Sequence, residues 1–318
     1  MLAQPGRDGH RPGCGSVRTG PAAARRTARM VPMILRPVRD TAADAEAVQE
    51  LSAAAFTDPA GAGPAPRPTP LQLARTRHLA RTDPGGCWLA ESGGEPVGVV
   101  LSMRREGLWS PSLYAVRPSA QGKGVGRLLL DRAATHARGC LRGMVCASDS
   151  AAAARRYRMA GFTLHPAMRL SGRVDREGLL DPGDIPVHRG NATHLHLLDS
   201  VDRRLRGSAH GPDHELMLGH FEELLIADAL AGSGYCYRDG GAVKLLAATS
   251  KRIAARLLRE ALARVPYDVE ARLEFLTAEQ EWALDVGLEV GLTPRAGGFV
   301  GVRGMRPPTP YLPSGAFL

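Results

Sequence analysis

The residues most able to do chemistry form a glycine-rich turn between an apolar run and an amphipathic segment. Residues 113–116 (LYAV) are followed by the turn 121–124 (QGKG) and by residues 125–130 (VGRLLL). This order predicts a strand that leads through a tight turn into a helix. The first N–H groups of a helix have no internal partner and carry partial positive charge, and glycines let a ligand approach them closely. We therefore expect a main-chain cradle for a diphosphate, with Lys123 and Arg127 adding positive charge.

Two common phosphate-binding patterns do not fit this turn. A P-loop requires G-x-x-x-x-G-K-[ST], and Lys123 stands in the wrong place for it. A dinucleotide-binding fingerprint requires G-x-G-x-x-G and an acidic residue about 20 residues further on. The spacing Gly122-x-Gly124-x-Gly126 differs from that, and Ser148-Asp149 at the end of the next apolar run is a weak match. The turn therefore indicates a different diphosphate-containing ligand.

The turn resembles the acetyl-CoA signature Q/R-x-x-G-x-G/A of the GNAT superfamily of N-acetyltransferases, with Gln121, Gly124 and Gly126 in the matching positions. Members of that family commonly show Asn-x-x-Ala-x-x-x-Tyr followed by a short stretch that ends in Gly-Phe. Residues 150–162 (SAAAARRYRMAGF) match that spacing at Ser150, Ala153, Tyr157 and Gly161-Phe162, with Ser150 in place of the usual Asn. The resemblance covers residues 33–172.

The resemblance implies an α/β (α+β) fold of the acyl-CoA N-acyltransferase type, in which helices flank a mixed β-sheet. It implies an enzyme that transfers an acetyl group from acetyl-CoA to an amine of a small molecule or a protein terminus. In this view the backbone N–H groups of Ala115 and Val116 stabilise the oxyanion, and Tyr157 protonates the departing thiolate. The other expected coenzyme contacts are Gln121, Gly122, Lys123, Gly124, Val125, Gly126, Arg127 and Ser150.

Some roles stay open at this point. Tyr157 is either the general acid or a packed aromatic side chain, and the two are partly compatible. Asp149, Glu91 and Tyr114 are candidates for the general base by residue type alone, and none of them is assigned. No metal is expected, because His194-x-His196 lacks supporting ligands at a known spacing. Six histidines of the second half are expected on the surface or in loops: His188, His194, His196, His210, His214 and His220.

Periodicity and turn residues place these motifs on a chain of alternating strands and helices. Strands are predicted at 33–38, at 87–90 and 97–101 as a hairpin, at 113–116, at 143–147 and from 162 onward. Helices are predicted after residues 40–41, over 71–80, over 125–137 and over 151–160. A loop rich in proline and glycine is predicted over 58–70.

The second half of the chain repeats this plan in outline, which indicates a tandem duplication. Residues 234–241 resemble 86–94, residues 256–261 resemble 127–132, and residues 290–293 resemble 160–163. We expect one copy over 33–172, a linker over 173–186 and a second copy over 187–318.

The second copy is predicted to be degenerate. Residues 249–255 (TSKRIAA) replace the turn without any glycine, and Gly287 stands where the first copy has Tyr157. The second copy is therefore expected to bind no acetyl-CoA of its own. It is expected either to shape the acceptor cleft or only to stabilise the first copy.

Charge and composition restrict the remaining function classes. Of the net charge of +9, residues 1–33 contribute six arginines and one aspartate, so the other 285 residues carry only +4. Residues 1–32 are expected to be a disordered basic tail or the result of a mis-assigned start. Five scattered cysteines and the absence of a long apolar run favour the cytoplasm. A membrane partner is not expected, nucleic acid is disfavoured, and a homodimer is possible. The alternatives are a non-catalytic acyl-CoA-binding regulator and a nucleic-acid-associated protein that uses the basic tail.

Overall fold

The computed structural model of the protein describes residues 32–56, 69–179 and 184–318. The predicted basic tail lies outside these residues except for Pro32, and so does nearly all of the loop predicted over 58–70. In the first half the elements are β1 (Met33–Pro37), α1 (Ala42–Phe56), α2 (Pro70–Thr82), β2 (Trp88–Ser92), β3 (Glu95–Arg105), β4 (Leu108–Val116), α3 (Val125–Ala134), β5 (Arg142–Ala147), α4 (Ala151–Met159) and β6 (Thr163–Gly172). Each predicted helix and strand is confirmed, with ends within four residues, except that β4 begins five residues before its predicted start.

Local sequence explains where the helices of the first half begin. Thr69 and Gln72 form a capping box on α2, because Thr69 Oγ1 accepts from Gln72 N at 3.3 Å and Gln72 Oε1 accepts from Thr69 N at 2.8 Å. Ser150 caps α4 by accepting from Ala153 N. Gly124 precedes α3 with no side-chain cap. The start of α3 therefore differs from the starts of α2 and α4.

The second half has the elements β7 (His188–Arg189), α5 (Leu195–Arg206), α6 (Pro212–His220), β8 (Glu223–Ala229), β9 (Gly232–Asp239), β10 (Ala242–Ala248), α7 (Lys251–Ala263), β11 (Ala271–Leu276), α8 (Glu281–Glu289), β12 (Thr293–Arg303) and β13 (Tyr311–Leu312). The order β8-β9-β10-α7-β11-α8-β12 repeats the order β2-β3-β4-α3-β5-α4-β6.

One of the three predicted internal matches is wrong by one strand. The hairpin of β9 and β10 leads directly into α7, so it corresponds to β3 and β4 and not to β2 and β3. Apolar strands on either side of a glycine-containing turn occur twice in a row in the first half, and residue types alone do not distinguish them. The matches at α7 and at residues 290–293 agree with the observed order.

Within the described ranges, the strands form one mixed sheet in the order β1-β2-β3-β4-β5-β12-β6-β11-β10-β9-β8-β7, and β13 pairs with β10 off this path. The two halves exchange their last long strands. Strand β12 lies antiparallel between β5 and β6, and β6 in turn pairs with β11. The described residues from Met33 onward accordingly form one compact unit.

A glycine pair in β12 lets this strand lie close to both β5 and β6. The pairing of β12 with β6 is irregular between Ala296 and Phe299, where Gly297 and Gly298 lie. Gly298 has a φ of +78°, and a Cβ there would lie 2.1 Å from the carbonyl oxygen of Ala147 at the end of β5. Any side chain at this position would push β12 away from β5.

Buried ion pairs join the two halves. Arg105 Nη1 donates to Asp83 at 2.8 Å, while its Nε and Nη2 donate to the carboxylate of Asp213 at 2.8 and 2.7 Å. His78 also hydrogen-bonds Asp213, and His136 hydrogen-bonds Asp83. Burial by itself raises the pKa of Asp83, but the bond from His136 and the charge of Arg105 outweigh it and lower the pKa to about 2.

Two of the six histidines expected at the surface or in loops are fully buried, which corrects that expectation. His210 and His214 both hydrogen-bond the carboxylate of Asp202, which also accepts from the hydroxyl of Tyr235. Buried imidazoles need hydrogen-bond partners, and a single buried aspartate supplies them here. Among the described residues, these two histidines and Asp202 are close enough together to hold a metal ion. The hydrogen bonds account for their burial without an ion.

The described helices include none that combines the length and the apolar character needed to cross a membrane.

Candidate active site

The candidate site lies where β4 and β5 separate. These parallel strands are paired only at Leu108 with Arg142 and at Trp109 with Gly143. Strand β4 remains paired with β3 up to Val116, so β4 and β5 part toward their carboxyl ends. We call the gap between residues 110–116 and 144–147 the first wedge. Helices α3 and α4 follow β4 and β5, so both helices begin at the open end of the wedge.

The turn before α3 has the backbone expected of an anion cradle. Gly122 and Gly124 have φ values of +74° and +85°, and a Cβ at either position would meet nothing within 4 Å. The first helical bond is donated by Leu128 N to Gly124 O at 3.1 Å, which leaves the N–H groups of residues 125–127 without partners inside the helix. Lys123 is exposed beside them. The turn can therefore receive negatively charged oxygens on its main chain.

Side chains fix the shape of this turn from both sides. Gln121 Nε2 donates to Val116 O at 3.0 Å and so ties the turn to the end of β4. Val125 is buried in the core, where it anchors the first turn of α3. Arg127 is exposed and pairs with Asp131 at 3.4 Å. Arg127 is thus held along the helix by a weak exposed ion pair.

Gly126 has a different role from the one its motif position predicts. A Cβ at Gly126 would lie 2.2 Å from the hydroxyl oxygen of Tyr114 on β4. The glycine therefore lets α3 pack against Tyr114, whereas Gly122 and Gly124 face open space. Burial raises the pKa of Tyr114 to about 12, so this hydroxyl is neutral near pH 7 and is a poor candidate for the general base.

Strand alternation separates the two backbone groups that sequence analysis placed at the oxyanion. Arg117 N donates to Val97 O at 2.9 Å, so its N–H points toward β3. Successive N–H groups of a strand point to opposite edges, which directs the N–H of Ala115 toward β3 and that of Val116 toward the first wedge. Of the pair, Val116 is the group that faces the space between β4 and β5.

Tyr157 lies in an aromatic cluster beneath the wedge. Its side chain is 4% exposed, and its ring contacts those of Tyr114, Phe162 and Phe299 edge-on at 5.8–6.2 Å. Burial raises the pKa of the Tyr157 phenol, and the neighbouring Tyr114 and Cys146 raise it further. Within the described ranges, no hydrogen bond fixes its hydroxyl. The phenol is thus neutral near pH 7.

The structure does not bring together the other candidates for proton transfer. Glu91 lies on β2 and accepts from Arg36 Nε of β1 at 2.6 Å, in a salt bridge that Asp44 shares. Asp149 is exposed just before α4. The hydroxyl of Ser150 is engaged as the cap of α4, and Ser150 itself is exposed. No described carboxylate therefore stands out as the general base.

The matching gap of the second half is filled by the chain itself. Strands β10 and β11 are paired only at Ala242 with Arg272, so they also separate. Strand β13 occupies that second wedge and pairs antiparallel with Leu246 and Ala247. Gln280 holds β13 in place, accepting from Tyr311 N at 3.1 Å and donating to Pro308 O at 2.8 Å. The first wedge has no such strand among the described residues.

The helix after the second wedge begins with a side-chain cap. Ser250 caps α7 by accepting from Ile253 N at 3.3 Å, so a side chain occupies the position that Gly124 leaves open in the first half. Gly287, the counterpart of Tyr157, packs so closely on Leu170 that a Cβ would lie 2.3 Å from its Cδ1. The two halves therefore share a fold but differ at each feature of the candidate site.

Sequence reasoning missed the residues that the second half contributes. Phe299 of β12 contacts Tyr157, Arg303 of β12 lies over Trp109, and Ala316 O accepts from Ser112 Oγ at 2.7 Å. No local pattern connects residues almost 150 or more positions apart. The glycine pair at 297–298 was the available signal that β12 makes a close approach.

Comparisons with known proteins identify a family and a fold. Residues 45–162 match the family described as "Acetyltransferase (GNAT) family". No curated protein sequence matches the chain. Solved structures resemble it over most of its length. A protein from Pyrococcus horikoshii described as an acetyltransferase has 17% identity and a TM-score of 0.66, with 86% of this chain and 90% of that chain covered.

Two further structures have the same fold. A GCN5-related N-acetyltransferase from Sphaerobacter thermophilus has 15% identity and a TM-score of 0.52, with 85% of this chain and 95% of the other covered. A tandem GNAT protein from the clavulanic acid biosynthesis pathway has 15% identity and a TM-score of 0.52, with 86% and 99% covered. At these identities the likeness establishes the fold, and the tandem arrangement occurs within it.

Proposed function

Because the chain carries a domain of the GNAT family, we propose that it transfers an acetyl group from acetyl-CoA to an amine, using the first wedge. The observation that carries this proposal is the contrast between the wedges. Among the described residues no strand pairs into the first wedge, which adjoins an uncapped helix start, and β13 fills the second. The proposed acceptor is an amine of a small molecule or a protein terminus. We keep the cytoplasm as the proposed location.

The proposed chemistry assigns one task to each group. The N–H groups of Gly122, Gly124 and residues 125–127 bind the diphosphate, with Lys123 nearby. The neutral amine attacks the thioester carbonyl, and the N–H of Val116 stabilises the negative charge that forms on its oxygen. The C–S bond then breaks, the amine nitrogen loses a proton to water, and Tyr157 gives its proton to the departing thiolate. Water returns one proton to the Tyr157 phenolate, so the tyrosine is neutral again for the next turnover.

The raised pKa of Tyr157 is compatible with this proton transfer. A free thiol has a pKa near 8.5, so a phenol of higher pKa would protonate a thiolate only unfavourably in water. Burial disfavours every anion, however, and a thiolate formed in the same apolar surroundings becomes a stronger base as well. The two shifts offset each other, and geometry decides the efficiency of the transfer.

We also propose the domain organisation predicted from the sequence, with copies over 33–172 and 187–318. The described part of the intervening segment packs on the second copy, because Asp175 N donates to Val290 O and Arg176 donates to Ala263 O and Val265 O. The filled second wedge supports a second copy without a coenzyme of its own. Its strand β12 and residue Ala316 support a role in building the first site.

Turnover and coenzyme binding measured on one variant test this proposal. Tyr157→Phe keeps the aromatic contacts and removes only the hydroxyl, so we expect kcat to fall at least tenfold while the Kd for acetyl-CoA stays within about twofold. Tyr267→Phe is a matched control, because Tyr267 is exposed on the second half. A full kcat in Tyr157→Phe would remove Tyr157 from the mechanism.

A non-catalytic acyl-CoA-binding regulator is the second candidate, and the packing of Tyr157 favours it. The side chain is almost fully buried among three aromatic rings, which is also the environment of a purely structural residue. Such a protein would bind acetyl-CoA and acetylate no member of a broad amine panel followed by mass spectrometry. Acetylation of any amine at a rate that depends on the protein would exclude it.

A further inference from the structure

Two arginines stand directly opposite each other where the two halves exchange strands. Arg169 of β6 and Arg295 of β12 are cross-strand partners in the antiparallel pairing of these strands. Side chains in that position share one face of the sheet with Cβ atoms about 5 Å apart, and like charges there destabilise the pairing. Both arginines are exposed, and neither forms an ion pair with any described residue. The stability of the sheet therefore does not explain this pair of charges.

Strand alternation places the pair on the face of the sheet opposite to α4 and α8. Leu170, the next residue after Arg169, packs so closely on α8 that a Cβ at Gly287 would lie 2.3 Å from its Cδ1. Leu164 has the same parity along β6 and packs in the cluster that contains Tyr157 of α4. The irregularities in pairing lie in the partner strands, so β6 itself alternates without interruption. Its odd-numbered side chains therefore point to the other face.

This other face is the side from which an acceptor reaches the first wedge. Helices α3 and α4 pack on the face of the aromatic cluster, so a coenzyme held at the start of α3 enters the wedge from there and the amine approaches from the opposite side. Cys146, in the wedge, packs with Val300 on that opposite side. Cys146, Val300 and His165 stand in one row across β5, β12 and β6. Arg169 and Arg295 lie on the same face, further along β6 and β12.

The arginine pair lies a short distance beyond the end of β5. Ala147 is opposite Phe299 of β12, which is opposite Pro166 of β6. Strands β5 and β6 both run antiparallel to β12, so the three residues from Pro166 to Arg169 extend past the carboxyl end of β5 by about 10 Å. One strand spacing of about 4.8 Å separates β5 from β12, which puts the Cα atoms of Ala147 and Arg295 roughly 11 Å apart. A long arginine side chain can cover part of this distance.

A carboxylate on the same face gives an acceptor its direction. Burial and then the charge of Glu274 raise the pKa of the Cys146 thiol, which shows that Glu274 of β11 lies near the wedge. Glu274 is exposed and forms no ion pair with any described residue. Its charge attracts an ammonium group arriving from solvent and repels an anionic group toward Arg169 and Arg295. The face is therefore suited to a molecule with an amine at one end and a negative charge at the other.

We propose that Arg169 and Arg295 bind an anionic group of the acceptor, a carboxylate or a phosphate, while its amine lies in the first wedge. The inference rests on the proposed function and narrows the acceptor to amines that carry a negative charge several bonds away from the nitrogen. Arginine suits this task, because its planar fork matches carboxylate and phosphate oxygens in pairs of charge-assisted hydrogen bonds. An anion between the two guanidiniums also offsets their repulsion. Since Arg295 belongs to β12, the second half would supply part of the acceptor site.

Steady-state kinetics with a matched series of acceptors tests the proposal. The amine and the carboxylate of ε-aminocaproate are joined by a flexible chain, and its amide has the same length without the negative charge. We expect kcat/KM of the unmodified chain to be at least about tenfold higher for ε-aminocaproate than for the amide. Arg169→Met and Arg295→Met should each reduce this preference to about threefold or less, with kcat/KM for the amide unchanged. Arg295→Lys should keep part of the preference.

Aminohexyl phosphate in the same assay distinguishes the two anions. A preference over the amide for either anion that is lost in Arg169→Met and Arg295→Met supports the subsite, and the larger preference identifies the anionic group it binds. Equal kcat/KM values for both anionic acceptors and the amide would overturn the inference.

A matched control separates this subsite from general charge effects. Arg204 is exposed on α5 and forms no ion pair with any described residue, so Arg204→Met should keep the full preference. The Kd for acetyl-CoA should stay within about twofold in every variant. Acetylation with an unchanged preference in Arg169→Met and Arg295→Met would overturn this inference alone. Binding of acetyl-CoA without acetylation of any amine in a broad panel would overturn the proposed function together with it.

Discussion

Replacing Gly124 by alanine tests the diphosphate cradle, and Gly107 provides its control. Gly124 has a φ of +85° and Gly107 a φ of +82°, and a Cβ at either site would meet nothing within 4 Å. Each substitution therefore forces an alanine into the left-handed region at a cost of about 1–2 kcal/mol, without a steric clash. Gly107 lies in the turn between β3 and β4, at the opposite end of β4 from the cradle. The two variants should lose similar stability.

Their affinities for coenzyme A should differ. A methyl group at Gly124 stands at the mouth of α3 and hinders contacts between phosphate oxygens and N–H groups. Losing one such charge-assisted contact costs about 1.5–3 kcal/mol, which corresponds to a Kd about 10- to 100-fold higher. We expect scanning calorimetry to show Tm values a few degrees lower for both variants, while isothermal titration shows weaker binding for Gly124→Ala alone. Equal Kd values for the two variants would refute the cradle.

Three further predictions concern stability. Gly126→Ala should lower the free energy of unfolding in urea by about 1–3 kcal/mol, because the new methyl group would collide with the hydroxyl of Tyr114. Adding Tyr114→Phe to the same chain should recover most of this loss. An equal effect of Gly126→Ala with Tyr114 and with Phe at position 114 would contradict the contact between Gly126 and that hydroxyl. The pKa of Asp83 is lowered from 3.8 to about 2, so its ionised carboxylate stabilises the fold by about 2 kcal/mol above pH 3.8. This stabilisation is lost as the pH falls to 2. Asp83→Asn should lack that part of the acid unfolding transition followed by circular dichroism. An acid unfolding profile unchanged from that of the unmodified chain would exclude this contribution of Asp83. Asp202→Asn should lower the free energy of unfolding in chemical denaturation by about 3 kcal/mol, because the new amide N–H₂ would face groups that now donate hydrogen bonds to the carboxylate. A loss below about 1 kcal/mol would argue against that hydrogen-bond network.

The candidate site was predictable where its features are local. The order of strand, turn and helix around residues 121–126 predicts an uncapped helix start, since a few neighbouring residues determine that geometry. The same reasoning treated the three glycines alike. Gly126 faces Tyr114 while Gly122 and Gly124 face open space, and this difference depends on how α3 packs against β4.

Side-chain partners distant in sequence were not predictable. His210 and His214 had no ligand pattern around them, and their burial depends on Asp202 and Tyr235. Ala115 and Val116 looked equivalent in sequence, yet the pairing of β4 with β3 directs their N–H groups to opposite edges. Such differences follow from register, which local residue types determine only weakly when both faces of a strand are apolar.

The amino-acid sequence by itself determined the elements, the repeat of one plan in two halves and the loss of the glycine-rich turn in the second half. Periodicity, capping residues and glycines with positive φ act over a few residues, so they can be recognised in the chain directly. Only the tertiary structure decided that the halves exchange β6 and β12, that β13 fills the second wedge and that Arg169 and Arg295 stand opposite each other. These features depend on which of several apolar strands pair, and that choice depends on the packing of the whole sheet.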